Sequence, residues 1–458
     1  MGGSIFHSVY LDSSLCVGCT TCVRRCPTQA IRVRDGKAHI TEERCIDCGE
    51  CIRACPKGAK KSVSDPLAVM GGYDINVALP APSLYGQFGI DHSPEQVFAV
   101  LRTIGFDEVF DVAWGAKVLT ESIREYAKAD LPRPLISSAC PVVVRLIQLR
   151  FPSLIQNLVP FLPPVEVAAR EVRSRFARAG AAFANKRVGI FFLSPCTSKV
   201  TAIKAPLGYL SSEVNAVFSF QDIYAALKKN LKAASRASED DRAGRPAALP
   251  RIRELGSGIG WARSDGELES LDIPGAVSVD GIGNVIALLE EIDNGKLGEL
   301  PYIEALACPG GCVGGPMAVA NPHVARTTIK AIAKKESAKS ACPASEASAP
   351  PSGTLVQPSG TYVSPSGSAA PANFRPLLWD EELLPKPVMV LDRDMGKALA
   401  MAEALEEIAT GLPGLDCGAC GAPDCRAFAE DIVKGCAKID DCIVRMKEKS
   451  AKIAGIPN

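Results

Sequence analysis

The sequence predicts a multidomain α/β protein, with small cysteine-rich modules at both ends of a larger central domain. Three observations predict it. The chain has 458 residues, a length that suits two to four domains. Eight of its 18 cysteines fall in the first 55 residues and five in the last 42, so the ends differ in kind from the middle. Between them, residues from about 69 to 335 alternate strand-like and helix-like segments. Ile75 to Leu79 precedes a helix-like stretch from Pro94 to Thr103, and Arg187 to Leu193 runs up to the next cysteine, which is the pattern of α/β layers. Hydrophobic residues make up 47% and charged residues 22%, as in ordinary globular proteins, and a net charge of zero argues against a nucleic-acid-binding surface.

Four regions follow from composition. Residues 1–68 are short and cysteine-dense, residues 69–335 form the central domain, residues 336–378 are a Ser/Ala/Pro-rich linker, and residues 379–458 form a last module opened by a helix-like run, Met395 to Thr410. A polar stretch from Ser235 to Pro250 reads as a surface insertion, and Cys342 in the linker as a free thiol without a role. The start, MGGSIFHSVYLDSS, lacks the basic and apolar regions of a secretion signal, and apolar runs such as Val188 to Leu193 are too short to span a bilayer. The expected compartment is the cytoplasm, where cysteines serve metal or catalysis rather than disulfides.

One internal repeat is present. Cys16-x2-Cys19-x2-Cys22-x3-Cys26-Pro27 recurs as Cys45-x2-Cys48-x2-Cys51-x3-Cys55-Pro56. This is the bacterial ferredoxin run, in which three cysteines wrap one cubane and the fourth, before proline, reaches the cubane of the other repeat. One [4Fe-4S] cluster is thus expected on Cys16, Cys19, Cys22 and Cys55, and a second on Cys45, Cys48, Cys51 and Cys26. Zinc also takes thiolates, but eight cysteines with two Cys-Pro endings favour the ferredoxin reading and one-electron transfer. At the other end, Cys417-x2-Cys420-x4-Cys425-x16-Cys442 follows Leu412-Pro413-Gly414, with Gly418 and Gly421 free to turn the backbone around a cube. It is similar to the small FeS domain of bacterial redox-complex subunits and corrinoid proteins. Cys436 lies in the same window at a spacing that does not fit the fourth ligand of that family.

The central cysteines occur in three segments: Ile136-Ser-Ser-Ala-Cys140-Pro141, Leu193-Ser-Pro-Cys196-Thr-Ser-Lys199, and Glu304-Ala-Leu-Ala-Cys308-Pro-Gly-Gly-Cys312-Val-Gly-Gly315-Pro316. The first two each end a strand-like run and can open a helix, whose free N–H groups suit a thiolate–metal group. Cys308-x3-Cys312 spans about one helical turn, Pro309 suits the first helical position, and Gly310 and Gly311 leave room for something bulky. Scattered buried cysteines are common in cores, yet three beside proline and one pair spaced by glycines argue for a site. Gly256-Ser-Gly-Ile-Gly260 lacks the full nucleotide-loop fingerprints and reads as a plain turn.

In order, the three segments resemble the signature motifs of the iron-only ([FeFe]) hydrogenase catalytic domain, over about residues 74 to 332. The resemblance implies a two-lobed α/β domain of small mixed sheets and helices clasping an H-cluster. It implies that Cys140, Cys196, Cys308 and Cys312 bind the cubane, with Cys312 bridging to a diiron part that carries CO, cyanide and a dithiolate amine. Lys199 matches the lysine that interacts with a cyanide ligand, beside Pro195, and Ala81-Pro82-Ser83 matches the segment contacting the other end of that ligand. Ser83 reads equally well as a helix cap. The accessory cysteines would hold three further [4Fe-4S] clusters.

Departures from the family pattern shape the expected activity. Highly active members carry a proton-passing thiol where this chain has Ala139, and two methionines around the diiron part are Ser194 and Leu306 here. Gly-Gly-Gly-Gln becomes Gly314-Gly315-Pro316-Met317. Proton transfer needs a donor within hydrogen-bond reach, so Glu304 or water must substitute. The pattern resembles the sensory subgroups, most closely the one without a PAS domain, often called group D. The expected activity is 2H⁺ + 2e⁻ ⇌ H2, slow and regulatory. The implied partners are H2 and protons, a ferredoxin or other redox protein, the hydrogenase maturases, and a signalling kinase or phosphatase. The alternative is a scaffold with cubanes only, serving electron transfer or iron–sulphur assembly; Lys199, Pro195, Ser83 and the complete ferredoxin pair lean against it.

Overall fold

The computed structural model describes residues 6–179, 183–234, 256–340, 377–386, 388, 390–392 and 394–453. The chain separates into two compact units. One joins residues 1–63 and 148–152 to residues 385–458, and the other comprises residues 64–147 and 153–384.

In the first unit, β1 (Val9–Leu11), β2 (Ile31–Arg34), β3 (Lys37–Ile40) and β4 (Lys60–Ser62) form two antiparallel pairs, β1 with β4 and β2 with β3. The β2–β3 hairpin turns through Asp35 and Gly36, both at positive φ, the geometry that matches the twist of the flanking strands. The sequence repeat is also a backbone repeat. Gly18 and Asp47, Thr20 and Gly49, and Gln29 and Gly58 occupy equivalent positions and all adopt left-handed conformations. The C-terminal part contributes helices Met395–Thr410, Cys425–Val433 and Ile443–Ile453. Asp394 and Asp424 cap the first two by accepting from Lys397 N and Ala427 N.

The second unit is built on two parallel sheets. β5 (Ile75–Pro80), β6 (Glu108–Val109), β8 (Val188–Ser194) and β9 (Ala216–Ser219) pair in the order β6-β5-β8-β9. β7 (Leu135–Ile136), β10 (Val277–Asp280) and β11 (Tyr302–Leu306) pair in the order β10-β11-β7. The sheets are wholly parallel rather than mixed, because each return to the sheet runs through an intervening helix. β8, Val-Gly-Ile-Phe-Phe-Leu-Ser, is a near-continuous apolar run, as a strand covered on both faces requires. Phe191 and Phe218 stack at 5.3 Å in the core beneath it. Helix Pro94–Thr103 starts on a capping box between Ser93 and Gln96 with proline in its first turn. The α/β class and the helical C-terminal module are therefore as expected.

Three local expectations are corrected. Helix Pro322–Ser340 runs into the stretch read as linker. At its far end, Leu377 accepts from Leu162 N at 2.8 Å, Trp379 N donates to Pro160 O at 2.8 Å, and the Trp379 ring fills the space beside Gly208, so residues 377–384 belong to the second unit. Gly256–Gly260 is one turn of helix instead of a plain turn. A Cβ at Gly258 would collide with the Ala113 carbonyl, so that glycine permits close approach to helix Val112–Tyr126. Residues 235–250 and Cys342 lie outside the described residues.

Candidate functional site

The central site grows from the carboxyl ends of parallel strands, where α/β folds place their ligands. Cys140 follows β7 and precedes helix Pro141–Arg150, Cys196 follows β8 at the N-cap of helix Thr197–Lys204, and Cys308 follows β11. Ala81, Pro82 and Ser83 follow β5 in the same way, with Pro82–Gln87 forming a 3-10 turn. Backbone bonds lock these ends together. Ala81 N donates to Leu193 O, Ser137 N to Ile303 O, and Met317 N to Pro195 O. Gln87 Oε1 accepts from both Val319 N and Ala320 N, pinning the segment after the third motif.

The third motif is not a helical turn. Cys308 to Gly311 make a tight turn closed by Gly311 N on Cys308 O, with Gly310 and Gly311 both at positive φ, and a 3-10 turn begins at Cys312. The glycines serve backbone contact rather than open space. A Cβ on Gly311 would stand 2.5 Å from Ser264 N, and one on Gly315 would overlap the Pro195 carbonyl. Ser194, in the place of a family methionine, accepts from Cys196 N at 3.2 Å and holds the cysteine turn.

Electrostatics draws Cys140, Cys196, Cys312 and Lys199 into one group. Burial pushes the Cys196 thiol up to about 11 against the pull of Lys199, with Cys140 and Cys312 adding to the rise. Cys140 is raised chiefly by burial. Lys199 Nζ lies 3.6 Å from Cys312 Sγ. Burial opposes its charge, but the sulphurs of Cys312, Cys196 and Cys140 more than offset this and hold its pKa above the usual lysine value. Ser83 is buried in the Pro82–Gln87 turn, whose N-cap is Ala81, so Ser83 does not cap it. Its hydroxyl has no hydrogen-bond partner among the described residues, and neither does the buried hydroxyl of Ser198. Orphaned buried hydroxyls are costly unless something bonds them. The thiols of Cys140, Cys196 and Cys312 around a lysine, with Cys308 at the end of β11 and unspent hydroxyls on Ser83 and Ser198, fit an anionic iron–sulphur group.

Ala139 is half-buried and offers no ionisable group. Its amide donates to Ser137 Oγ at 3.3 Å, and Ser137 Oγ donates to Glu267 Oε2 at 2.8 Å. Glu267 Oε1 accepts from the Tyr302 hydroxyl at 2.5 Å. Glu304, on the same face of β11 as Tyr302, accepts from Leu268 N at 3.0 Å, and its other oxygen has no partner. Burial pushes Glu267 up to about 7 and drives Glu304 well above the carboxylate range, with the neighbouring Glu267 adding to the latter. Ser137, Glu267 and Tyr302 carry no sequence signal of their own; only the fold joins them to Glu304.

The accessory cysteines form separate groups. Cys16, Cys19, Cys22 and Cys55 line one small concavity, and Cys417, Cys420, Cys425 and Cys442 line another. Cys436 is exposed, with its sulphur 3.7 Å from Lys434 O. Cys45, Cys48 and Cys51 are raised chiefly by burial, with Asp47 adding to the rise at Cys45, Cys26 adding at all three, and Lys60 opposing it at Cys51, which reaches about 12. Cys26 Sγ and Cys55 Sγ accept from Ala30 N at 3.1 Å and Ala59 N at 3.2 Å, the same bond in both repeats. Amide donors aimed at the sulphurs of Cys26 and Cys55 suit cysteines that serve as cluster ligands. Among the described residues none of the 17 cysteines forms a disulfide.

Fold and cysteine groups together define a multidomain α/β protein built to hold iron–sulphur clusters. The family described as iron only hydrogenase large subunit, C-terminal domain, matches residues 74–316, just over half of the chain, and the chain belongs to that family. A 4Fe-4S dicluster domain family matches residues 8–56, and an Fe-S cluster family matches residues 412–444. Iron hydrogenase 1 of Clostridium pasteurianum is 26% identical over 274 residues, covering 52% of this chain and 47% of that protein. The NADP-reducing hydrogenase subunit HndD of Solidesulfovibrio fructosivorans is 22% identical, covering 67% of this chain and 56% of that one. The chain thus spans about half the length of these two relatives. The periplasmic [Fe] hydrogenase large subunit of Nitratidesulfovibrio vulgaris is 24% identical, covering 68% of this chain and 86% of that one. Among solved structures, an [FeFe]-hydrogenase of Chlamydomonas reinhardtii aligns over 56% of this chain and 83% of its own, at 18% identity and a TM-score of 0.41. Among the described residues no helix is long and apolar enough to cross a membrane.

Proposed function

We propose that this chain interconverts H2 with protons and electrons at an H-cluster in the central site, slowly, in a sensory or regulatory role in the cytoplasm. The observation that carries the reading is Lys199, whose ammonium lies 3.6 Å from Cys312 Sγ and whose charge Cys196 and Cys140 also favour; the resemblance adds Cys308 to this group. In this reading Cys140, Cys196, Cys308 and Cys312 would hold the H-cluster through their thiolates. Lys199 donates to an anionic ligand in a dry pocket, where a charge-assisted hydrogen bond is strong. Ser83, Ala81 and Pro82 contact the other end of the group, and Pro195 closes over it. When bound, the diiron group supplies the redox centre at which the H–H bond is made or broken.

The chain's own residues handle the proton. With Ala139 in place of a thiol, the hydrogen-bonded line from Ser137 through Glu267 to Tyr302, with Glu304 beside it, ends next to the first cysteine. Carboxyls raised toward neutrality hold and release protons at working pH. A line that ends on a backbone amide hands over a proton less readily than a thiol would, which supports slow turnover. Electrons would pass through three accessory [4Fe-4S] clusters to a ferredoxin or similar protein. Maturases would install the diiron part, and a kinase or phosphatase would read the output. The ferredoxin-type module at residues 1–68, a central domain from 69 through the 377–384 segment, and a C-terminal module at 385–458 would divide these tasks.

The test is infrared spectroscopy of the full chain after maturation. Bands of iron-bound CO and cyanide that shift under H2 are expected. Their absence, with iron for the cubanes present, would instead favour a cubane-only scaffold.

A further inference from the structure

The two ends of the chain meet in one unit, and they meet at their cysteine loops. Val33 N donates to Gly421 O at 2.9 Å. Gly421 has φ +81, and a Cβ there would overlap the Val33 carbonyl. Arg24 Nη2 donates to Cys417 O at 3.2 Å, and Arg34 Nη1 to Cys420 O at 3.0 Å. A Cβ on Gly418 would stand 3.6 Å from Arg24 Nε and 3.8 Å from Thr20 Oγ1. Thr20 directly follows Cys19, Gly418 directly follows Cys417, and Gly421 directly follows Cys420. Val33 lines the concavity of Cys16, Cys19, Cys22 and Cys55. Two of these contacts, Thr20–Gly418 and Val33–Gly421, therefore join a residue beside one group of cysteines to a residue beside the other.

Helix Cys425–Val433 latches this contact. Asp431 Oδ2 accepts from Arg32 Nε at 2.7 Å and Arg34 Nη2 at 2.6 Å, and Glu430 Oε1 accepts from Arg44 at 2.5 Å and Lys434 at 2.7 Å. Gln29 Nε2 donates to Asp424 Oδ2 at 2.8 Å. Asp431 and Glu430 are largely buried. Charges paired at this depth fix one geometry, since a partner removed leaves its mate buried and alone. One-electron transfer moves no atom; the protein's part is to hold two centres close and in fixed orientation.

The geometry points to a side port: the C-terminal site exchanges electrons directly with the Cys16, Cys19, Cys22 and Cys55 site, through the Thr20–Gly418 and Val33–Gly421 contacts. This rests on reading both sites as [4Fe-4S] centres. In each step one electron leaves the reduced C-terminal cluster and reduces the oxidised ferredoxin-type cluster; the first gains one unit of positive charge, the second loses one, and no bond or proton changes. The port's own donor is a low-potential one-electron protein, replaced by dithionite in the test.

The full chain, reconstituted with iron and sulphide and reduced with dithionite, is read by electron paramagnetic resonance beside three variants. In the native chain the ferredoxin-type signal is expected to be broadened and to saturate at severalfold higher microwave power than in Cys417→Ser/Cys420→Ser, which lacks the third cluster. Gly421→Ile opens the contact sterically and Asp431→Lys electrostatically. Either, retaining native iron content and circular dichroism, is expected to relax like the cysteine variant. A native spectrum that is the plain sum of separate clusters, or folded contact variants that relax like the native chain, overturns the port while leaving the cluster reading standing. If Cys417→Ser/Cys420→Ser matches the native chain in iron content, the third site holds no cluster, and the port falls with that reading.

Discussion

Glu267 and Glu304 are the residues on which proton delivery is expected to turn, because Ala139 supplies no thiol. Glu267 sits near 7, so its protonation changes across the working range, whereas Glu304 stays protonated well above an ordinary carboxyl. Glu267→Gln keeps the shape and the acceptor for Tyr302 but cannot shuttle a proton. It is expected to lower turnover of the matured chain at least tenfold, the lower end of what a positioned acid or base contributes being about a hundredfold. The infrared bands should remain, and the limb of the pH–rate profile near neutrality should vanish. Unchanged turnover would remove the carboxyls from the route. The complementary variant, Ala139→Cys, restores a thiol beside Cys140 and is expected to raise turnover in a gas-chromatographic assay. A rate that does not move would mean that something other than the relay is limiting.

At the scale of elements, helix Val112–Tyr126 carries a testable cost. Its N-cap, Asp111, accepts from Ala113 N at 2.8 Å but is buried, and burial pushes its carboxyl up to about 7. The folded pKa lies above the unfolded one, so its stabilising contribution is complete below about pH 4 and is lost as pH rises through 7. From pH 5 to 8 the loss is about 2 kcal/mol. Asp111→Asn keeps the cap acceptor and cannot ionise. The urea midpoint of the variant should therefore fall less over that range, and parallel pH dependences would refute the assignment. Elements such as this one were legible to different depths. The strand β8 and the helix Pro94–Thr103 declare themselves through an apolar run and a capping box, and the accessory cysteines through local spacing. Glu267 does not, because its partners Ser137 and Tyr302 are 130 and 35 residues away and only packing joins them. The x3 spacing of Cys308 and Cys312 and the proline between them suggest a helical turn, but Gly310 and Gly311 take positive φ and close a tight turn instead. In the fold the missing side chain permits Gly311 and Gly315 to touch backbone from other motifs. The meeting of the two chain ends was invisible for the same reason, since Arg32 and Asp431 are 399 residues apart.

Across the whole molecule, the two units rest on different sources of stability. The ferredoxin part of the first unit has a small apolar cluster around Val9, Val23, Ile31 and Ala38 that is completed by cysteines, and the C-terminal part has another around Leu405, Leu412 and Phe428 that includes Cys442. Cores of this size leave little margin over chain entropy. The thiols pushed up by burial, Cys45, Cys48 and Cys51, stay protonated in the bare fold, and a bound cluster would take them as thiolates. Cluster binding is then folding free energy for this unit. The second unit instead buries Leu79, Phe106, Phe191, Phe192 and Phe218 around a four-stranded sheet, with only four candidate ligand cysteines. Stripping iron with a chelator under reducing conditions is therefore expected to unfold the two units unequally. Hydrogen exchange read by mass spectrometry should show peptides from residues 8–56 and 412–444 losing protection, while β5 and β8 keep theirs. Equal loss in both units would mean that the central site's cysteines hold the parallel sheets together, and equal retention that the ferredoxin-type part folds without its clusters.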